Sequence, residues 1–296
     1  MLTTLAILAV MSSDARPPAA PDAAYAAEIE TWRRGRLGRL TSDEGWLVVA
    51  GLFWLKEGAN RFGSAADNEV ALPAHSSPAH AGVLRMTGGK VTVEVAPGTA
   101  VTCAGKPVSK QELRADDPGP PDVLALGDLR FFVIARDGRM AIRLRDLRSP
   151  RRTAFKGLQY FPVRPELRVV ARYVPHAQPK TLKVPNVLGR VSEMQSPGAA
   201  HFRIGERELA LDAVLEEPTD TRLFFIFRDE TAGHESYGAG RFLYTPLPAN
   251  GRVVLDFNMA FTPPCAFTPY ATCPLPPPQN RLPLRLEAGE TFAGHP

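Results

Sequence analysis

From Leu52 onward the sequence consists of short apolar segments separated by glycine, proline, asparagine and aspartate. The clearest case is the pair Leu129–Arg136 and Arg139–Asp146, which flank Asp137-Gly138. This dipeptide favours the positive φ angles of a two-residue hairpin turn. Antiparallel strands that follow one another through such turns predict an all-β protein with barrel-like or curved-sandwich sheets.

The two strands of this hairpin differ in their hydrophobic pattern. The first is apolar on both sides, which predicts a central position in a sheet. The second alternates apolar residues with arginines, at Arg139, Arg143 and Arg145. We therefore expect one face of the second strand to be buried and its arginine face to be in water.

The chain divides into four predicted regions. They are an export signal and spacer at 1–24, a helix at 25–40, a small β-sandwich at 41–115 and a larger antiparallel domain at 116–296. Asp22 is positioned to cap the helix, which we expect to run from about Ala23 to Arg34 before two glycines weaken it. The turn cluster Asp116–Pro121 marks the boundary between the β domains.

The C-terminal domain contains three further predicted features. A second hairpin is expected from Arg241–Leu247 and Arg252–Asn258, which flank an Asn-Gly turn. The proline-rich segment 259–283 carries aromatic and sulfur side chains, so we expect an ordered loop rather than a linker. The alternation of Leu282, Leu284 and Leu286 predicts a final strand.

The first residues resemble an export signal. Leu2–Met11 is apolar but too short to span a bilayer, and a spacer rich in proline and alanine follows. We expect a periplasmic or secreted protein, or a cytoplasmic one if the signal is not functional. The rest of the sequence predicts no membrane span.

The charge balance argues against nucleic acid as a partner. The 296 residues include 35 basic and 31 acidic ones, for a net charge of +4. The excess is dispersed, whereas nucleic-acid-binding proteins concentrate basic residues in a stripe or patch.

Common catalytic motifs do not occur in the sequence, and its six histidines show no metal-ligand spacing. The sequence thus predicts no metal site and identifies no cofactor. The richest polar segment is 229–241, and two shorter ones lie at 256–258 and 279–281. From these segments and the proline-rich loop we select as catalytic candidates Asp229, Glu235, Arg241 and Asp256, and as ligand-binding candidates Tyr237, Asn258, Tyr270, Asn280 and Arg281.

Two interpretations of these residues remain open. Carboxylates beside an arginine can serve as acid, base and anion clamp, with the second hairpin bringing Arg241 near Asp256. The same groups can instead form a structural network around a buried Arg241. The first interpretation predicts a small-molecule-binding or hydrolytic site, and the second predicts a non-catalytic envelope or structural module.

The chain has three cysteines. Cys265 and Cys273 share one short segment, so we expect a disulfide between them in exported material. Cys103 is expected to be an ordinary buried residue.

Several sequence runs resemble a bacterial and archaeal family known as domain of unknown function 1684. They are Gly51–Gly58, the run Phe155–Leu158 with Tyr160–Pro162, and the C-terminal block from Tyr237 to Leu282. The resemblance implies a site around the C-terminal block but brings no known reaction, substrate or cofactor.

A weaker resemblance, over 51–110, is to the forkhead-associated sandwich, which binds phosphothreonine. Ser64 stands where that family has its key arginine, and an Asn-Gly-Thr motif does not follow. A serine cannot make the charged fork contact of arginine to phosphate, so we expect no phosphopeptide partner.

Overall fold

The computed structural model describes residues 20–136, 138–217, 219–292 and 294. Most of the predicted export signal and spacer at 1–24, namely residues 1–19, and the hairpin residue Asp137 lie outside them. Within the described residues, no helix is both long and apolar enough to cross a membrane.

The described chain begins with helix α1 (Ala23–Thr41). Asp22 caps it as expected, by accepting a hydrogen bond from the Tyr25 backbone N–H at 2.8 Å. The helix continues past the predicted end at Arg34, because tertiary contacts of Arg36 and Leu40 outweigh the low helix propensity of its two glycines. Arg36 pairs with Glu290, and Leu40 packs in an apolar cluster.

The first eleven strands form a β-sandwich of two sheets. One sheet has the order β1-β11-β10-β9-β6-β7, and the other has the order β3-β2-β4-β5-β8. Phe62 and Leu84 from the second sheet pack with Phe131 and Ile142 from the first in one core. The strands are β1 (Val49–Trp54), β2 (Gly58–Gly63), β3 (Val70–Ala71), β4 (Gly82–Thr87), β5 (Lys90–Val95), β6 (Thr102–Cys103), β7 (Lys106–Pro107), β8 (Lys110–Leu113), β9 (Leu124–Leu126), β10 (Leu129–Arg136) and β11 (Arg139–Asp146).

The predicted hairpin at 129–146 is present as β10 and β11, in the expected register. The strand pairing does not divide at the predicted 115/116 boundary, because β11 also pairs with β1. The hairpin therefore completes the first sandwich. Local turn composition at Asp116–Pro121 marked a loop inside this sandwich.

The arginine face of β11 was predicted to lie in water, but it is covered by protein. Arg143 is only 7% exposed, and its guanidinium lies 5.0 Å from the ring centre of Trp46. Arg145 is half-buried against Phe132. The face is covered because Trp46 and the C-terminal sheet pack over this side of the sandwich.

The larger C-terminal sheet has the strand order β17-β16-β15-β14-β13-β18. Phe225, Phe227 and Phe257 lie in its core. A separate two-stranded ladder joins β12 to β19, and a short helix α2 follows the first sandwich. The elements are α2 (Pro150–Ala154), β12 (Gln159–Tyr160), β13 (Arg168–Pro185), β14 (Val191–Ile204), β15 (Arg207–Leu215), β16 (Arg222–Phe227), β17 (Arg241–Pro246), β18 (Arg252–Asp256) and β19 (Glu290–Thr291).

The second predicted hairpin, between 241 and 258, is wrong in its pairing. β17 pairs with β16, and β18 pairs with β13, so the two strands occupy opposite ends of the sheet order. The short turn at Asn250-Gly251 still brings these ends into contact. The sheet is therefore nearly closed and barrel-like, in agreement with the predicted all-β class.

The proline-rich segment 259–283 is ordered, with short 3₁₀ turns at Pro264–Ala266 and Pro278–Asn280. The final strand predicted at 282–286 is not present. Leu282 and Leu286 are buried, but the backbone groups of Leu286 bond to side chains of Asp229 and Arg241. Polar side chains thus replace the neighbouring strand that this segment would otherwise need.

Candidate functional site

Asp229 and Arg241 form a buried ion pair at 3.0 Å, as the structural interpretation expected. Arg241 is fully buried and also donates to the carbonyl oxygens of Leu286 and Ala288. Asp229 accepts further bonds from Thr231 and from the Leu286 N–H. These contacts hold the segment that follows the proline-rich loop against the end of the sheet.

Asp256 belongs to a different network. It accepts hydrogen bonds from the Tyr25 hydroxyl at 2.9 Å and from the backbone and side chain of Asn258. Asn258 also bonds both backbone groups of Arg164. Burial raises the pKa of Asp256, and the bonds from Asn258 and Tyr25 oppose that shift. We expected Arg241 to lie near Asp256, but the described residues show no contact between the two. Their strands do not pair with each other, because β17 pairs with β16 and β18 pairs with β13.

The remaining polar candidates are also dispersed. Glu235 is exposed and pairs with Arg285 at 2.7 Å, which lowers the pKa of the Glu235 carboxyl. Asn280 is buried, and its side-chain amide forms hydrogen bonds with the backbone groups of Asp212 and with the backbone carbonyl oxygen of Ile226. Arg281 is exposed. These residues do not converge on one cavity.

Tyr237, by contrast, lies at a pair of cysteines. The Tyr237 hydroxyl and the Cys273 thiol both interact with the Cys265 thiol, and both lower its pKa. The Cys265 backbone N–H in turn lies 3.2 Å from the Cys273 sulfur. Both cysteines are free thiols in the structure, so the expected disulfide is not formed there, although the residues are neighbours as predicted.

A cleft of about 410 Å³ lies beside Cys273, between the arginine face of the first sandwich and the C-terminal sheet. One wall is aromatic, with Phe224 stacked on Tyr244 at 4.6 Å between ring centres. The charged groups in the lining are three arginines and one glutamate. The lining residues are Arg36, Trp46, Arg136, Arg143, Glu216, Phe224, Phe242, Tyr244, Phe261, Pro264, Thr272, Cys273 and Pro274.

Two of the three arginines in the cleft are already paired. Arg36 bonds Glu290 at 2.7 Å, and Arg136 bonds Asp116 at 2.7 Å. Arg143 is different, because its buried Nε and Nη2 find no hydrogen-bond acceptor among the described residues. Burial, with repulsion by Arg136, lowers the pKa of Arg143 to about 10, so the guanidinium is charged at neutral pH.

Glu216 stands at the opposite side of the cleft and accepts a hydrogen bond from the Tyr244 hydroxyl at 2.7 Å. The residue as a whole is exposed, but partial desolvation of its carboxyl group raises the pKa of Glu216. Because its pKa is raised, Glu216 loses its negative charge at a higher pH than an ordinary glutamate does.

Sequence reasoning missed this cleft. Its lining comes from segments between residues 36 and 274, and local patterns do not report which of them meet. Arg143 was assigned to a wet face, although its place in the middle of a long strand paired with one that is apolar on both sides was a usable signal. Tyr270, selected as a ligand-binding candidate, lies elsewhere, beneath Arg151 at 5.5 Å.

No group of three or more histidine, cysteine or acidic side chains suited to a metal occurs in the part of the chain that the structure describes.

The fold and these networks define an all-β protein with a sandwich packed against a barrel-like sheet. The family model "Protein of unknown function (DUF1684)" matches residues 153–291, and the chain belongs to this family. The match begins after the first sandwich, so it does not include the run Gly51–Gly58 that also suggested the resemblance.

Solved structures offer further likenesses. An uncharacterised protein of Haloarcula marismortui, solved by NMR, is 31% identical over 48% of this chain and 79% of its own, with a TM-score of 0.41. The FHA domain of FhaA, complexed with the intracellular domain of Rv3910, is 22% identical over 31% of this chain and 84% of its own, with a TM-score of 0.22. No curated protein matches.

Proposed function

We propose that this protein binds a small organic carboxylate in the cleft between its two β units. The observation that carries the proposal is the buried guanidinium of Arg143, whose Nε and Nη2 lack an acceptor in the described chain. A buried charge without a partner costs several kcal/mol, so a ligand that supplies the acceptor recovers much of that cost. A carboxylate matches the two-pronged geometry of a guanidinium.

The charges in the cleft favour a ligand with a single negative charge. Arg36 and Arg136 are engaged by Glu290 and Asp116, which leaves Arg143 as the cation to be satisfied. Glu216 adds negative charge across the cleft and disfavours a dianion such as phosphate. The stacked Phe224 and Tyr244 favour a flat or apolar body on the carboxylate.

The cleft has a size that suits such a ligand. Its volume of about 410 Å³ lies in the range typical of small-molecule sites. Its lining combines aromatic walls with charged side chains that can fix the orientation of a ligand. A non-catalytic structural role fits the Asp229 and Asp256 networks better, because both carboxylates are engaged within the protein.

The test is a calorimetric titration with aromatic and aliphatic monocarboxylates, each paired with its primary amide. We expect the carboxylates to bind and the amides not to. Arg143→Met should abolish binding, whereas Arg145→Met, on the same strand and face but outside the cleft lining, should retain it. Binding that survives Arg143→Met would refute the proposal.

A stability measurement on the ligand-free protein separates binding from structure. Arg143→Met removes a buried charge, so we expect its melting temperature to equal or exceed that of the wild type. A clear loss of stability with no carboxylate bound by the wild type would show that the Trp46 contact is the role of Arg143.

We further propose export from the cytoplasm, on the strength of the apolar stretch Leu2–Met11. N-terminal sequencing of protein from cell fractions tests it. A mature chain that starts near residue 24 in the periplasm is expected, and an intact Met1 confined to the cytoplasm would contradict it.

A further inference from the structure

The cysteine pair has the two unlike thiols that a redox site requires. Cys265 is partly exposed, whereas Cys273 is buried in the apolar cluster around Phe224 and Phe242. The hydrogen bonds donated by Cys273 and Tyr237 lower the pKa of the Cys265 thiol to about 7. The bond to Cys265 and burial raise the pKa of Cys273. Cys265 is thus the better thiolate at neutral pH.

A second cavity gives small molecules access to Cys265. It has a volume of about 370 Å³ and is separate in its lining from the carboxylate cleft. Leu47, Phe155 and Phe267 make its walls apolar, and Arg151 adds a positive charge on an exposed side chain. Cys265 therefore lines this cavity, whereas Cys273, the more buried of the two, contributes to the lining of the carboxylate cleft.

We propose that Cys265 and Cys273 form a thiol–disulfide exchange site for small anionic disulfides, with Cys265 as the attacking residue and Cys273 as the resolving one. The Cys265 backbone nitrogen lies 3.2 Å from the Cys273 sulfur, so the two side chains can form a disulfide after a modest movement. Arg151 supplies the preference for negative charge. This proposal does not depend on the carboxylate cleft.

The exchange is balanced without any other reactant. The Cys265 thiolate attacks one sulfur of the disulfide RSSR, a mixed disulfide forms, and RS⁻ leaves and takes up a proton. Cys273 then loses its proton to solvent and attacks the Cys265 sulfur, which releases the second thiol. The cysteine pair is oxidised to a disulfide, and RSSR is reduced to two RSH.

The test uses the reduced full-length protein, with Cys103→Ser to remove the third thiol, and the dianionic aromatic disulfide DTNB. We expect this protein to release both thiolates of DTNB and to end with an internal disulfide. Adding Cys273→Ser should stop the reaction at a mixed disulfide on Cys265, detected by mass spectrometry. Adding Cys265→Ser should make the remaining thiol many-fold slower.

The pH dependence and the charge preference provide two further readouts. Alkylation of Cys265 should have its midpoint near pH 7, and Tyr237→Phe should move the midpoint upward. Arg151→Gln should slow the reaction with DTNB several-fold but not that with the cationic disulfide cystamine. Lys156→Gln, which changes a nearby exposed lysine outside the cavity lining, is the matched control.

Three results would overturn the proposal. One is independent reaction of both thiols without an internal disulfide. Another is equal reactivity of the Cys265→Ser and Cys273→Ser proteins. The third is a large loss of melting temperature on reduction, combined with failure of small disulfides to re-form the bond, which would identify a purely structural disulfide.

Discussion

Replacement of Arg241 by methionine tests whether the C-terminal block is held by its buried polar network. The change leaves the Asp229 carboxylate buried with only Thr231 and the Leu286 N–H as donors. It also removes the donor to the carbonyl oxygens of Leu286 and Ala288. Removal of one partner of a buried ion pair costs about 3–5 kcal/mol, so we expect a loss of that size in the free energy of unfolding.

Asp229→Asn in the Arg241→Met background tests the assignment of that loss. With the stranded charge removed, the double variant should recover part of the stability, with a coupling free energy of about 0.5–3 kcal/mol. It should not recover fully, because the Ala288 carbonyl oxygen still lacks the Arg241 donor, whereas the Leu286 carbonyl oxygen keeps the backbone N–H of Ala288.

The assay is urea unfolding at pH 7 followed by circular dichroism. Glu235→Gln is the matched control, because it removes the exposed pair with Arg285 from the same segment, and we expect no change in its urea midpoint. Arg241→Met with wild-type stability, or strictly additive effects of the two changes, would refute the reasoning.

Two further predictions concern the backbone and pH. Gly240→Ala should reduce the free energy of unfolding by about 1–3 kcal/mol, because Gly240 has φ +100° and an added Cβ would lie 2.4 Å from the Phe227 carbonyl oxygen. Gly238→Ala is the control. Its added Cβ would meet nothing closer than 3.7 Å, so the same urea assay should show little change. Asp256 has a raised pKa in the folded protein, so the native state binds the proton of this carboxyl more tightly than the unfolded state does. Asp256 therefore favours folding increasingly as the pH falls from 7 toward the pKa of the unfolded state. Over this range the urea midpoint of the wild type should rise relative to that of Asp256→Asn, and a constant difference between the two would contradict the prediction.

The sequence alone was sufficient for features that depend on neighbours along the chain. The hairpin at 129–146 was predictable to the residue, because its turn dipeptide and its strand alternation are local signals. The Asp22 cap and the order in the proline-rich segment 259–283 were predictable for the same reason. The membership of the C-terminal half in its family also came from contiguous runs of residues.

The tertiary structure decided what depends on distant partners. The end of α1, the pairing of β17 with β16, and the loss of the expected strand after Leu282 all follow from contacts between segments far apart in sequence. The grouping of the polar candidates has the same origin. Asp229 and Asp256 lie in one sequence neighbourhood but are satisfied by Arg241 and Tyr25 respectively, in separate networks.

The carboxylate cleft shows this division most clearly. The alternation in β11 determined that Arg143 points away from the core of the first sandwich. Whether that side meets water or protein depends on Trp46 and on the C-terminal sheet, which contributes Phe224 and Tyr244. Burial is a property of the assembled layers, so a periodicity that assigns a residue to a face does not determine what that face contacts.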